Sequence, residues 1–122
     1  MISCLCVGAG GMAGAMLRYL TGIWIHSEGF PLATFFVNVM GSVVIGFIIG
    51  ASEKAGLSPN LILFFKTGFC GGFTTFSTFS AEVLDLWEKK EYLTGSGYAI
   101  GSVMLCVLGV FLGRTLADLF VK

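Results

Sequence analysis

Charged side chains are scarce in this sequence: seven Lys and Arg stand against seven Asp and Glu, 11% of 122 residues, for a net charge of zero at neutral pH. A soluble domain carries charge on about a quarter of its residues, so that class is excluded. With no basic excess, nucleic acid is excluded as a partner. Proline is nearly absent, at two residues, which rules out a Pro-rich disordered chain. There is a single histidine, His26, and Cys4, Cys6, Cys70 and Cys106 all fall in apolar stretches with no metal-ligand spacing to it. Neither a zinc site nor a structural disulfide is expected, and the cysteines read as small packed or lipid-facing residues. No Ser/His/Asp or paired-carboxylate constellation is visible, so the chain does not read as an enzyme. The head of the chain lacks the Lys/Arg region of a cleaved signal peptide, so its first apolar stretch reads as retained.

What is present is apolar: 56% of residues are hydrophobic and 18 are glycine. Residues 29–52 and 92–113 contain no charge at all, and each suffices for a bilayer core that needs about 20 helical residues. Residues 2–25 carry only Arg18. Residues 60–87 exceed one crossing, bear Lys66 near the start and Glu82 and Asp85 near the end, and hold Gly71-Gly72 in the middle. The expectation is an all-α membrane protein: one transmembrane domain over 1–122, with four helices near 2–25, 31–52, 60–87 and 92–118, the third broken mid-membrane. Linkers this short force an up-and-down path. The location is the cell membrane, multi-pass, with lipid around it.

Four crossings put both termini on one face, with Lys54, Lys66, Arg114 and Lys122; the other face has Arg18, Lys89 and Lys90. Lys and Arg in short loops set orientation, and four against three is hardly a bias. Such a chain is expected to insert both ways, and oppositely inserted copies would pair as an antiparallel homodimer. Gly10, Gly14, Gly41, Ser42 and Gly46 are small enough to let helices approach, whether within one chain or between two.

Polar residues at bilayer depth need a partner or a wet cavity. Asn38 lies in the middle of an uncharged span, with Thr34 one turn earlier on the same face. Tyr98, Ser102 and Cys106 recur at i, i+4 and i+8 in the fourth span, so two polar stripes suggest a shared hydrophilic track. The least ordinary string is Gly68-Phe-Cys-Gly-Gly-Phe-Thr-Thr-Phe-Ser-Thr-Phe79. Gly71-Gly72 followed by Thr74-Thr75 would give a helix break, and backbone carbonyls freed at this depth are natural cation ligands. Beyond it, Phe76 and Phe79 share a face beside Ser77, Thr78 and Ser80. An aromatic ring has a positive edge, so Phe edges beside hydroxyls suit a small anion, although packing alone also accounts for two such Phe.

With these strings in place, the chain resembles the Fluc-type fluoride channels over nearly its whole length. The residues that carry the resemblance are Gly10-Gly-Met-Ala-Gly-Ala-Met-Leu-Arg18-Tyr19, Pro31-Leu-Ala-Thr34-Phe-Phe-Val-Asn38-Val-Met-Gly41, and Gly68 through Glu82. The resemblance implies a passive channel that lets fluoride leave the cytoplasm, built as a dual-topology antiparallel homodimer with two pores. It implies that Phe76 and Phe79 meet fluoride with their ring edges, that Asn38 lines the pore, and that Tyr98 and Ser102 belong to a hydroxyl track; Thr34, on the face of Asn38, and Ser77, beside the Phe pair, are expected on the same pathway. It further implies a structural, untransported Na+ at the dimer centre, held by backbone carbonyls of Gly71 and Thr74. Arg18 matches a basic residue near a vestibule, and equally fits a side chain snorkelling beside Tyr19. Glu82 matches an acid at the pore end, and with Asp85 also fits a merely solvated pair.

Two other functions compete. A small dual-topology multidrug exporter needs an intramembrane carboxylate, where the first span offers Arg18 instead. A non-transporting scaffold subunit has no use for polar stripes or a broken span.

Overall fold

The structure, a computed structural model, describes residues 1–121; Lys122, counted above on one face, lies outside the described residues. Helix α1 covers Ile2–Trp24 and α2 Leu32–Ala55. A short α3, Pro59–Ile62, leads into a π-helical stretch, Leu63–Phe69, then α4, Cys70–Phe73, and α5, Phe76–Glu88. Helix α6, Tyr92–Phe120, closes the chain. No strand occurs among the described residues. Three helices, α1, α2 and α6, are long and apolar enough to cross a membrane.

Local sequence sets the boundaries. Gly56 ends α2 in the left-handed region, at φ 59°, where a side chain would be strained. Ser58 caps α3 by accepting from the Leu61 N–H, with Pro59 in the first turn, where no N–H is needed. Thr75 caps α5 in the same way, its hydroxyl accepting from the Thr78 N–H.

Glycine decides how the helices pair. A Cβ on Gly14 would strike the Phe69 carbonyl oxygen, and one on Gly72 the Gly11 carbonyl oxygen, so α1 lies backbone to backbone against the π stretch and α4. Gly46 meets the Val110 carbonyl and Gly113 the Val43 carbonyl, so α2 and α6 pack the same way. In both pairs residue numbers rise together along the contact, so alternate helices run parallel, as an up-and-down path requires. The seams at Gly10, Gly14 and Gly46 are thus used within one chain, while Gly41 faces the methyl of Thr74. At one end of the α2–α6 pair, Arg114 meets Glu53 at 2.8 Å and Lys54 meets Asp118 at 3.0 Å. These are exposed pairs, each worth roughly 0–1 kcal/mol. The α5–α6 turn, with Lys89 and Lys90, lies at the opposite end.

The helical run stops at Phe73 and resumes at Phe76. Thr74 (φ −83°, ψ 158°) and Thr75 (φ −149°, ψ 117°) are extended. Gly71 and Gly72, expected to contribute to this break, are helical. The reason is packing: Gly72 supplies the close approach to α1, and the interruption falls on two β-branched residues that tolerate extended backbone.

Candidate functional site

Extended backbone at Thr75 leaves its N–H and carbonyl without helical partners. Asn38 takes both: its Oδ1 accepts from the Thr75 N–H at 2.8 Å and its Nδ2 donates to the Thr75 carbonyl at 3.1 Å. The side-chain amide thus completes the interrupted backbone like a short piece of sheet. One Nδ2 hydrogen remains for another acceptor.

Beside this latch is a cavity of about 420 Å³ between α2, α6 and the interrupted segment. Of the expected site residues it brings together Asn38, Phe76, Phe79, Ser102, Gly71 and Thr74, and Cys106 also lines it. No Asp or Glu among the described residues lines it. Phe79 is buried, its ring centroid 5.5 Å from that of Phe76 and 5.1 Å from that of Tyr98. Phe76 is 76% exposed, so one ring is fixed by packing and the other stands open. The Ser102 hydroxyl is buried with no hydrogen-bond partner among the described residues, a costly state for a hydroxyl that nothing satisfies.

The other expected residues form a neighbouring group. Thr34 donates to Glu82 Oε1 at 2.7 Å and Tyr98 donates to Glu82 Oε2 at 2.8 Å, so each carboxylate oxygen is held by a hydroxyl. Glu82 is therefore no merely solvated acid, whereas Asp85 pairs with exposed Lys89 at 2.7 Å. Arg18 sits elsewhere, lining a second cavity of about 300 Å³ with Tyr19, Thr34, Thr75 and Thr78. Thr74 and Thr75 thus point to different cavities, one on each side of the chain. Ser77 lines neither; its hydroxyl lies 3.4 Å from that of Thr75.

Sequence reasoning missed three contributors. Thr75 is buried and gathers Asn38, Ser77 and Thr78 around it. A Thr ahead of a helix-periodic Phe pair is an N-cap signal that could have singled it out. Ser42 lines the first cavity and donates to the Asn38 carbonyl at 2.7 Å, visible only as an i+4 neighbour of Asn38. Lys66 lines it as well, and its charge within an apolar stretch was the available signal.

The carbonyls of Gly71 and Thr74 accept from no N–H or hydroxyl among the described residues, because the Thr75 N–H that would reach Gly71 in a continuous helix is taken by Asn38. Two unpaired carbonyls at the break are hard oxygen donors, and no group of three or more His, Cys, Asp or Glu that could hold a metal ion occurs among the described residues.

Residues 5–114 match the family model described as CrcB-like protein, Camphor Resistance (CrcB). Among curated proteins, the chain is 46% identical over 123 residues to the fluoride-specific ion channel FluC of Chlorobaculum tepidum, covering 98% of both chains. It is 45% identical over 116 residues to the protein of that name from Rhizobium meliloti, covering 92% of this chain and 93% of the other. It is 40% identical over 114 residues to that from Methanococcus aeolicus, covering 93% of both. With its apolar helices and a match over nearly its full length, this chain is a multi-pass membrane protein that belongs to the CrcB-like family.

Proposed function

We propose that the chain is a fluoride-specific ion channel, a passive conduit through which fluoride leaves the cytoplasm. The observation that carries the geometric side of this reading is the first cavity, walled by two Phe rings, an amide, hydroxyls and no carboxylate. Relatives 40–46% identical, named fluoride-specific ion channels, supply the identity of the ion.

Fluoride binds water tightly, so a selective path has to replace its hydration shell with donors and positive ring edges, several of them and none too strong. In our reading the free Nδ2 hydrogen of Asn38 and the unpartnered Ser102 hydroxyl are two such donors, and Phe76 and Phe79 present electropositive edges. Tyr98 and Thr34 hold Glu82 in place, so that this carboxylate is tied down beside the path. That arrangement also disfavours cation exchange, since both carboxylate oxygens of Glu82 are engaged by hydroxyls.

The interrupted third helix at mid-membrane, four crossings, and an antiparallel homodimer in which each path draws on both copies belong to the same proposal. The open face of Phe76 supports a second copy, because an aromatic wall that is 76% exposed closes nothing alone. Gly71 and Thr74 would hold a structural Na+ through their carbonyls, two from each copy. Bound there, the cation would neutralise four inward-facing dipoles and fix the break. The test is release of fluoride from liposomes carrying the purified protein, followed with a fluoride electrode. Rapid fluoride release with no matching chloride release is expected, and release no faster than from empty liposomes would overturn the reading.

A further inference from the structure

Residues 55–81 contain one charged side chain, Lys66. An ammonium in a membrane-spanning stretch is costly unless it is paired, wet or functional. Lys54, Lys89 and Arg114 each have a carboxylate within ion-pair distance, whereas Lys66, like Arg18 and Lys90, has neither an ion-pair nor a side-chain hydrogen-bond partner among the described residues, and of these three it is Lys66 that lines the first cavity. It lies on the π-helical stretch, and the face it shares with Cys70, Gly71 and Thr74 is turned to the first cavity while Gly68 and Gly72 press on α1. Insertion of a π turn is a frequent mark of a functional position.

The direction of the helices places Lys66 along the cavity. Helices α2 and α6 run parallel, and the segment carrying Lys66 runs against them. Ile45 and Val107, late in the cavity's α2 and α6 walls, therefore stand with Lys66 at the end marked by Glu53 and Arg114, and Phe79 stands at the other. Between the ammonium and the rings lie Asn38 and the Ser102 hydroxyl, which is buried without a partner. A single unpaired cation, an orphan donor and no lining carboxylate form a graded attraction for a small anion.

We propose that Lys66 is the collecting residue of the anion path: its ammonium raises the local fluoride concentration at the end of the cavity away from Phe79 and so sets the entry rate. This rests on the fluoride-channel reading. The ammonium attracts through space and does not coordinate the ion tightly, because its long, flexible side chain is exposed and held by no partner among the described residues. Its effect should depend on charge and ionic strength, whereas a packing role would depend on neither. The Debye length falls from about 30 Å at 0.01 M to about 3 Å at 1 M, so salt separates the two.

The experiment compares initial fluoride release from liposomes carrying the wild type, Lys66→Arg, Lys66→Gln or Lys66→Glu protein, at about 10 mM fluoride, with and without about 1 M of an impermeant salt on both sides. Expected at low salt is a fall of about threefold to tenfold for Lys66→Gln, a larger fall for Lys66→Glu, and a rate near wild type for Lys66→Arg, with the differences collapsing at high salt. Wild-type rates from Lys66→Gln at low salt would overturn the proposal while leaving the channel reading intact. So would a loss that high salt does not relieve and Lys66→Arg does not restore, since that is the signature of packing. If the wild type itself releases no fluoride, both readings fall.

Discussion

Asn38 joins two roles that sequence alone keeps apart. That an amide in an uncharged span needed a partner was legible from the cost of burying it. Which partner it had was not, because the Thr75 N–H and carbonyl become available only when the backbone there is extended. The structure makes Asn38 the brace of the break as well as a wall of the cavity. Asn38→Asp keeps the acceptor for the Thr75 N–H but sets an oxygen against the Thr75 carbonyl. The variant should stop fluoride release and also lower the unfolding transition, by about 1–3 kcal/mol for the unsatisfied carbonyl. Release assays and thermal unfolding in detergent check the two effects, and an Asn38→Asp protein that still conducts would remove the amide from the path. Phe79 is the sharper probe of ring chemistry, since it is fixed between Phe76 and Tyr98. Phe79→Ile retains apolar bulk and loses the electropositive edge, so release should drop at least tenfold, about 1.4 kcal/mol on the barrier, while the protein remains folded. Normal release from both Phe79→Ile and Phe76→Ile would sink the ring-edge mechanism.

At the scale of elements, hydrophobic runs marked α1, α2 and α6 clearly, because a length of apolar sequence is what a bilayer selects. The segment between them was harder to read. Glycine carries two opposite meanings in a membrane helix, a place to break and a place to touch, and only the neighbouring helix decides between them. Gly72 touches α1 and stays helical, so of the expected Gly-Gly and Thr-Thr pairs only Thr74 and Thr75 are extended. The same logic separates two glycines of one helix. A Cβ at Gly14 would strike the Phe69 carbonyl, while Gly8 has nothing within 4 Å. Gly14→Ala should force α1 away from the π stretch and cost about 1–3 kcal/mol. Gly8→Ala should be neutral or stabilising by up to about 1 kcal/mol through helix propensity. Melting of the two variants in the same detergent tests the seam directly, and equal melting temperatures would mean that α1 is not held by backbone contact there.

At the scale of the whole molecule, orientation rests on few charges. Lys54 and Arg114 sit at the end of the bundle where α2 and α6 finish, tied to Asp118 and Glu53, and Lys89 and Lys90 sit at the other. Lys89 keeps its proton firmly, its pKa raised by the hydrogen bond to Asp85 and then by the charge of that carboxylate. It therefore counts as basic at neutral pH, and acids paired with these residues contribute little to orientation. The near balance between the ends suits a chain that inserts in both directions, as the proposed antiparallel homodimer requires. Adding two Lys beside Lys54 should bias every copy one way, and adding two beside Lys89 should bias every copy the other way. A population locked in one direction has no opposite copy to pair with, so each variant alone should lose fluoride release. Together in one membrane they should recover it, because the charges lie outside the cavity and leave both walls unaltered. Labelling of a cysteine placed in the 88–91 turn reports the orientation, and cross-linking reports the pairing. A locked variant that is fully active alone, with its single orientation shown by labelling, would refute antiparallel assembly while leaving the cavity and its chemistry in place.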